Sequence, residues 1–475
     1  MAIQLPVRDG LITNWSNFEA LWEHTITKYC QKSEDLRNTP VLMAEKSYTS
    51  IAARHRMCET LFEKYQPPAV FLSKDAVLST YACGKTSGLV IDMGGSGTLV
   101  TPVVDGWVEP KGISRSLVGG RLVDAHIANT LLSKHSTTPA FRWQKQLSAS
   151  AEGGLATVPR ANLGVVHPSY DAYMHLEVGR NAKETLGKMS DSTLYEADPR
   201  YINIPTTPYE LPDGTVIDFN IERFQMPELY MDPTPLLKIS DKHASSNLSR
   251  SSSSSNKNVS NSLADSSTGY SDLTSLYDSS STSGSNANSS SEAPTTTTTT
   301  TTTSSSSAMD VVGEGQKKAD IPPKTAFKFA PTANLTASVG PRAVDRPRCH
   351  AHSYRSPLGA GVGSLESVPK VVGDAMVRCE ADLHNTLVNN MVLTGGGAAV
   401  EGMSERMKAE IESLIYATGA TNWRIRLMSI GVNERALCAW LGGSIVASLG
   451  SFHELWVSKQ EYDEFGSVIV DRKCP

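Results

Sequence analysis

Cysteine is sparse and scattered in this 475-residue chain. Seven occur (Cys30, Cys58, Cys83, Cys349, Cys379, Cys438 and Cys474), with no CxxC pair among them. That argues against a disulfide framework or a zinc site and fits a reducing compartment. Long apolar runs are missing as well. No uninterrupted stretch approaches the roughly 20 residues a membrane helix needs, and Met1 to Arg8 reads without an apolar signal core. The expectation is a cytosolic or nuclear protein. Basic excess is absent too: the net charge is −5, so no global positive field draws in nucleic acid. Length alone suggests about three domains, but much of the middle cannot build a core. From about Ala244 to Ser307 the composition collapses into Ser, Thr and Asn. Such a segment buries too little apolar surface to offset its ordering entropy. With its flanks, 234–362 reads as one disordered surface insertion, either a neutral expansion or a phosphorylatable, partner-binding tail.

What is there centres on Gly88-Leu89-Val90-Ile91-Asp92-Met93-Gly94-Gly95-Ser96-Gly97-Thr98. A short apolar strand ends in an acidic residue and a glycine-rich bend. A second strand, Thr98 to Val104, closes at Asp105-Gly106. Glycine lets backbone N–H groups approach an anion, and Asp92 at the strand end has the chemistry to hold a metal hydrate or a water nearby. A bare tight turn would carry the same pattern. A related unit recurs at Met391-Val392-Leu393-Thr394-Gly395-Gly396-Gly397, followed by a helix with Met403, Met407, Ile411 and Leu414 on one face. Two such units suggest two half-domains facing a shared nucleotide cleft.

Elsewhere strands alternate with helices, the pattern of an α/β domain with a mixed sheet. Ser16 and Glu19 have capping-box spacing at the first helix. Strands read at Pro40–Ala44, Ala69–Leu72 and Arg424–Met428. Helices read at Ser50–Tyr65, Asp75–Cys83, Arg121–Leu132, Tyr170–Met189 and Val372–Asn389. Residues 133–159 are polar and unpatterned, which predicts a loop. Tyr209 to Val216 is strand, turn, strand. An apolar segment begins at Trp440 and runs to Trp456, and Ser458 with Glu461 caps a last short helix.

Several of these stretches resemble actin. They are Pro40-Val41-Leu42-Met43-Ala44-Glu45, Gly88-Leu89-Val90-Ile91-Asp92, Glu210-Leu211-Pro212-Asp213-Gly214, Leu393-Thr394-Gly395-Gly396, and above all Trp456-Val457-Ser458-Lys459-Gln460-Glu461-Tyr462-Asp463-Glu464. Tyr170 to Met174, Ile217-Asp218-Phe219 and the terminal Cys474-Pro475 are similar to the nuclear actin-related class of chromatin-remodelling and histone acetyltransferase complexes. The resemblance implies an α/β actin-like fold, two lobes around a nucleotide cleft, with the first lobe incomplete. Its subdomains would be 1–82 with 438–475, 83–118 with 363–437, and 119–233. The resemblance leads one to expect that the front phosphate hairpin and early strands of the first lobe are missing, and that the exposed sheet edge would then need a partner.

The resemblance also implies a site for ATP with Mg or Ca. Asp92, Gly94, Gly120, Arg180, Lys183, Glu184, Gly395 and Gly396 match nucleotide-binding positions of the family. Read from spacing alone, Arg180 and Glu184 are an i,i+4 pair on a solvated helix face. Other positions depart from the family pattern. Gly95 stands where actin is acidic, Asp75 where it has a water-positioning glutamine, and Leu99 where it has a histidine. Val400 replaces the aromatic over the adenine, and Ala436 a lysine near it. Phosphoryl transfer rests on positioning and charge neutralisation, so loss of the glutamine at Asp75 and the histidine at Leu99 should cost most of the rate. The expectation is a non-catalytic nuclear scaffold subunit, docked in a remodeller or acetyltransferase assembly with actin and histones as partners, and without membrane or sequence-specific nucleic-acid binding. The alternatives are a cytoskeletal actin-like ATP-binding protein and an actin-fold kinase, which would need a catalytic base and substrate loop not found here.

Overall fold

The computed structural model describes residues 2–29, 33–147, 155–161, 163–192, 204–236, 365–417 and 423–474. A small hairpin comes first, β1 (Val7–Arg8) with β2 (Leu11–Ile12). Helix α1 (Trp15–Tyr29) follows. Its cap is Asn14, whose Oδ1 accepts from the Asn17 amide at 3.0 Å. The Ser16–Glu19 spacing therefore lies inside the helix and does not cap it. β3 (Val41–Glu45), α2 (Ile51–Glu59, capped by the Ser50 side chain) and β4 (Ala69–Lys74) form a β-α-β unit, with β3 and β4 parallel. α3 (Asp75–Ala82) starts directly at the end of β4.

The larger sheet begins with β5 (Gly88–Met93), β6 (Thr98–Val104), β7 (Trp107–Val108) and β8 (Ser114–Ser116). Leu89, Val90, Ile91 and Met93 are all buried. β5 is thus covered on both faces, and its sequence reads as a continuous apolar run rather than an alternation. Then come α4 (Gly120–His135), a hairpin of β9 (Trp143–Leu147) with β10 (Leu155–Pro159), and α5 (Pro168–Leu186). The hairpin replaces the loop expected over 133–159. Its Gln144-Lys145-Gln146 run carries no apolar alternation to announce a strand. β11 (Thr207–Glu210) pairs with β12 (Val216–Phe219) across the Pro-Asp-Gly turn, and α6 (Glu222–Glu228) follows.

Residues 234–236 are described, with Leu236 buried; the rest of the Ser/Thr/Asn-rich stretch lies outside the described residues. The helix expected over Val372–Asn389 is two, α7 (Val368–Arg378) and α8 (Ala381–Asn389), because Cys379 and Glu380 are both extended, with ψ of 156° and 142°. β13 (Met391–Thr394), α9 (Met403–Ala417), β14 (Leu427–Met428), α10 (Cys438–Ala447), β15 (Val457–Ser458), α11 (Lys459–Phe465) and α12 (Ile469–Lys473) complete the order. On α9 the buried stripe is Met403, Met407, Ile411 and Ile415; Leu414 is 40% exposed and belongs to the next face. The segment from Trp440 lies on α10 with Trp440 itself exposed. The Ser458–Glu461 capping box is present on α11.

The sheets run β14-β13-β5-β6-β7, with β8 also on β6, and β15-β4-β3. β13 lies parallel to β5, with Thr394 opposite Asp92. The two strand–glycine units are therefore neighbours in one sheet. They do not belong to two half-domains facing each other, as their repetition had suggested. One core packs around the larger sheet and one around the smaller. α3 joins them: Ala76 and Val77 pack on Val90, Val103 and Val392 of the larger sheet, while Leu78 sits in the smaller core. α10 presses against α3 so closely that a Cβ on Gly442 would stand 1.8 Å from the Leu78 carbonyl oxygen. Only glycine fits that contact.

Candidate functional site at the ends of four strands

Parallel strands carry their loops to a common end, where α/β folds place their sites. Here β3 and β4 of the smaller sheet and β5 and β13 of the larger all run toward one cavity of about 280 Å³. β3 delivers Lys46, β4 delivers Asp75 as the first residue of α3, β5 delivers Asp92, and β13 delivers Thr394 and Gly395. Lys46 Nζ lies 2.6 Å from Asp92 Oδ2 and 2.7 Å from Asp75 Oδ2. Burial works against the ammonium charge, but Asp92 and then Asp75 more than offset it and hold the Lys46 pKa above the ordinary lysine range. One residue back, Glu45 is opposite Lys74, and their side chains pair at 2.6 Å with Arg54 2.8 Å from the same carboxylate. Successive side chains of a strand alternate faces, so these residues give one ion pair behind the sheet and one at the cleft.

The glycines shape the wall. The Gly94 amide donates to the Gly97 carbonyl at 3.0 Å and closes the hairpin. The first amides of α4 reach the same bend: Gly120 N donates to Gly94 O at 3.0 Å and Arg121 N to Gly95 O at 2.9 Å. Gly395 has φ +91°, and a Cβ there would meet Met93 O at 2.5 Å and Asp92 Oδ1 at 2.6 Å. Gly95 and Gly396 face open space, with nothing within 4 Å of a built Cβ. Arg435, buried behind the second bend, donates to Ala398 O at 2.5 Å and Ser429 Oγ at 3.1 Å. Its own carbonyl accepts from Gly395 N and Thr394 Oγ1. One side chain and its backbone thus fix the loop after β13.

Over residues 1–275 and 341–475 the chain matches the family described as Actin. The chain belongs to the actin family. Its relatives include Actin-related protein 4 of Oryza sativa subsp. indica, 26% identical over 477 residues, spanning 100% of this chain and 80% of the relative. Actin-related protein 4 of Arabidopsis thaliana is 24% identical over 478 residues, with the same coverage. The protein named SWI/SNF and RSC complexes subunit arp42 of Schizosaccharomyces pombe is 24% identical over 489 residues, 100% of this chain and 86% of the relative. The match to the actin family begins at residue 1 and does not confirm the expected loss of the first lobe's opening elements.

Of the positions that the actin resemblance singled out, Asp92, Gly94, Gly395 and Gly396 line the cavity. Gly120 and Lys183 stand one layer behind. Lys183 Nζ is 2.6 Å from Asp124 Oδ1 and 3.4 Å from the Gly120 carbonyl oxygen. Arg180 and Glu184 do not reach the cavity. They pair with each other at 2.9 Å, both more than half exposed, as their spacing alone predicts. The divergent Gly95, Asp75, Leu99 and Ala436 all line the cavity, whereas Val400 packs against the core of the larger sheet. Sequence reasoning missed Lys46 and Arg435. The signal for Lys46 was an acidic–basic step, Glu45-Lys46, at the end of an apolar strand, mirrored by Lys74-Asp75 at the end of the next. Nothing local announces Arg435.

Proposed function

We propose that this actin-family chain is a non-catalytic structural subunit of nuclear chromatin-remodelling and histone acetyltransferase complexes, able to hold ATP without hydrolysing it efficiently. Actin and histones are its proposed neighbours there, and the three-subdomain division given above is part of the same reading. Whole-length likeness to proteins named Actin-related protein 4, and to one named as a SWI/SNF and RSC subunit, supports the assembly. The observation that carries the non-catalytic half is the commitment of Asp75. Asp75 stands in the sequence where the actin resemblance puts a water-positioning glutamine, and it is already paired with Lys46 at 2.7 Å. Leu99, in the wall of the same cavity, offers no polar side-chain atom.

For the nucleotide the residues fit. Gly95 and Gly396 leave open the space that a Cβ would fill, and Lys46 adds positive charge to the same cavity. Gly94, Gly95, Gly395 and Gly396 would hold the phosphates. ATP, if bound, would supply a polyanionic triphosphate for these backbone groups to hold. The chain's own groups do the rest: Arg435 holds the second bend in place, and the first turn of α4 holds the other.

The test is affinity purification of the tagged full chain from its own cells, with mass spectrometry of what accompanies it. Co-purification of remodeller or acetyltransferase subunits together with actin is expected. Recovery of filament-associated proteins with no chromatin subunit would overturn the reading in favour of a cytoskeletal one.

A further inference from the structure

Actin-fold clefts are expected to hold a divalent cation beside the phosphates, and the residues of this cleft do not fit one. Asp75 and Asp92 are the cavity's two carboxylates. Between them stands an ammonium group, 2.7 and 2.6 Å from their oxygens. A calcium ion bonds its oxygens at about 2.3–2.6 Å and magnesium at about 2.0–2.1 Å, so Lys46 Nζ occupies the space such an ion would need. The described residues contain no group of three His, Cys, Asp or Glu side chains placed to hold a metal. The position that is acidic in actin is Gly95, which removes a further oxygen donor from the wall.

Lys46 is held in this place from several sides. Its aliphatic stem packs on the β1–β2 turn, where Lys46 Cγ lies 3.2 Å from a Cβ built on Gly10. The same turn is fastened by the Tyr48 hydroxyl, which donates to the Asp9 carbonyl at 2.5 Å. Arg115 completes the clamp. It pairs with Asp9 at 3.1 Å and donates to Ser96 O of the glycine bend at 3.4 Å. The β1–β2 turn therefore ties the loop carrying Lys46 to the first phosphate bend.

We propose that Lys46 is a tethered cation that takes the divalent ion's place between Asp75 and Asp92, so that this cleft excludes Mg, Ca and Mn ions and receives anionic phosphate without a metal. The inference does not depend on membership of a chromatin complex. It concerns the cleft alone and stands or falls separately from the co-purification experiment.

The probe is Mn ion without nucleotide, titrated into the full chain and followed by paramagnetic resonance of the free ion, with thermal melting in parallel. Four proteins are compared: the natural chain, Asp92→Asn, Lys46→Ala, and Lys46→Ala with Asp92→Asn. Lys46→Ala is expected to gain one Mn site, tighter than anything in the natural chain by on the order of a hundredfold, the size of removing a nearby like charge in a protein-like dielectric. Asp92→Asn should abolish the gain. The Lys46→Ala variant leaves two carboxylates facing each other, so it is expected to melt early in metal-free buffer and to regain melting temperature on adding Mn, as linkage requires. The natural chain should show no such response. Stoichiometric Mn binding by the natural chain that Asp92→Asn removes would overturn the proposal, and so would a Lys46→Ala variant that gains neither a Mn site nor Mn-dependent stability.

Discussion

Gly395 and Gly396 are adjacent in sequence, line the same cavity, and predict opposite outcomes when replaced by alanine. At Gly395 the backbone has φ +91°, and the new Cβ would stand 2.5 Å from Met93 O and 2.6 Å from Asp92 Oδ1. A non-glycine residue in that region of backbone space costs of order 1–3 kcal/mol, and forcing an extra carbon into a packed contact costs typically another 1–3 kcal/mol. Met93 O is backbone in the central strand β5 and cannot step aside cheaply. The total expected for Gly395→Ala is about 2–6 kcal/mol. At Gly396 nothing lies within 4 Å of the added carbon, so Gly396→Ala should change stability by no more than about 0.5 kcal/mol. Chemical denaturation of the two variants beside the natural chain, read as shifts in midpoint at constant slope, measures the contrast. A Gly395→Ala variant within about 1 kcal/mol of the natural chain would refute the claim that β5 and β13 pack at this point. A Gly396→Ala variant as damaged as Gly395→Ala would refute the open cradle.

Other expectations follow from ion pairs elsewhere. Arg406, 2% exposed, is held by Glu228 at 2.9 Å and Glu410 at 2.8 Å. Burial already pushes the Glu228 pKa up against the pull of Arg406, so Arg406→Ala should cost about 3–5 kcal/mol, and a second change, Glu228→Gln, should recover much of it. Lys183→Ala strands Asp124, each side chain being 10% exposed, and should cost a similar few kcal/mol, while Arg180→Ala on the open face should cost only about 0.3–0.5 kcal/mol; denaturation of the pair of variants separates a buried bridge from a solvated one. Ser458→Ala removes the α11 capping box and should cost about 1 kcal/mol. The Glu461 pKa is lowered, first by the Ser458 amide and then by Lys473. Its stabilising contribution is therefore complete above the unfolded carboxylate pKa and is lost as pH falls through the lower folded value. A pH series of melting curves should show the difference between Glu461→Gln and the natural chain shrinking across that acidic window.

What could be read in advance was local. The glycine bends at 94–97 and 395–397 need backbone freedom at fixed positions, and the capping box at Ser458 needs two residues at one spacing; both signals sit in a few consecutive letters. The same box spacing at Ser16 misled because Asn14, two residues earlier, supplies the better-placed acceptor. Relations between distant segments were less legible. Parallel pairing of β5 with β13 leaves no mark on either strand, so two like units suggested facing halves when they are neighbours. The break at Cys379–Glu380 contains neither glycine nor proline, and the polar β9–β10 hairpin shows no apolar alternation. In the site, Asp92, Gly94, Gly395 and Gly396, four of the eight positions that the actin resemblance singled out, line the cavity. Lys46 escaped notice because its role exists only once β3, β4 and β5 end at the same place. Arg180 and Glu184 form the i,i+4 pair that their spacing alone announces.

The proposed role makes this actin-family chain a non-catalytic, permanent part of a large nuclear assembly. The most direct measurement is sedimentation of the untagged protein from nuclear extract through a density gradient, followed by blotting of each fraction. The chain is expected to travel with a remodelling ATPase or an acetyltransferase, far ahead of a lone subunit, and to stay there whether or not ATP and Mg are present. A chain found in nucleotide-dependent filaments, or only at the position of a free monomer, would contradict it.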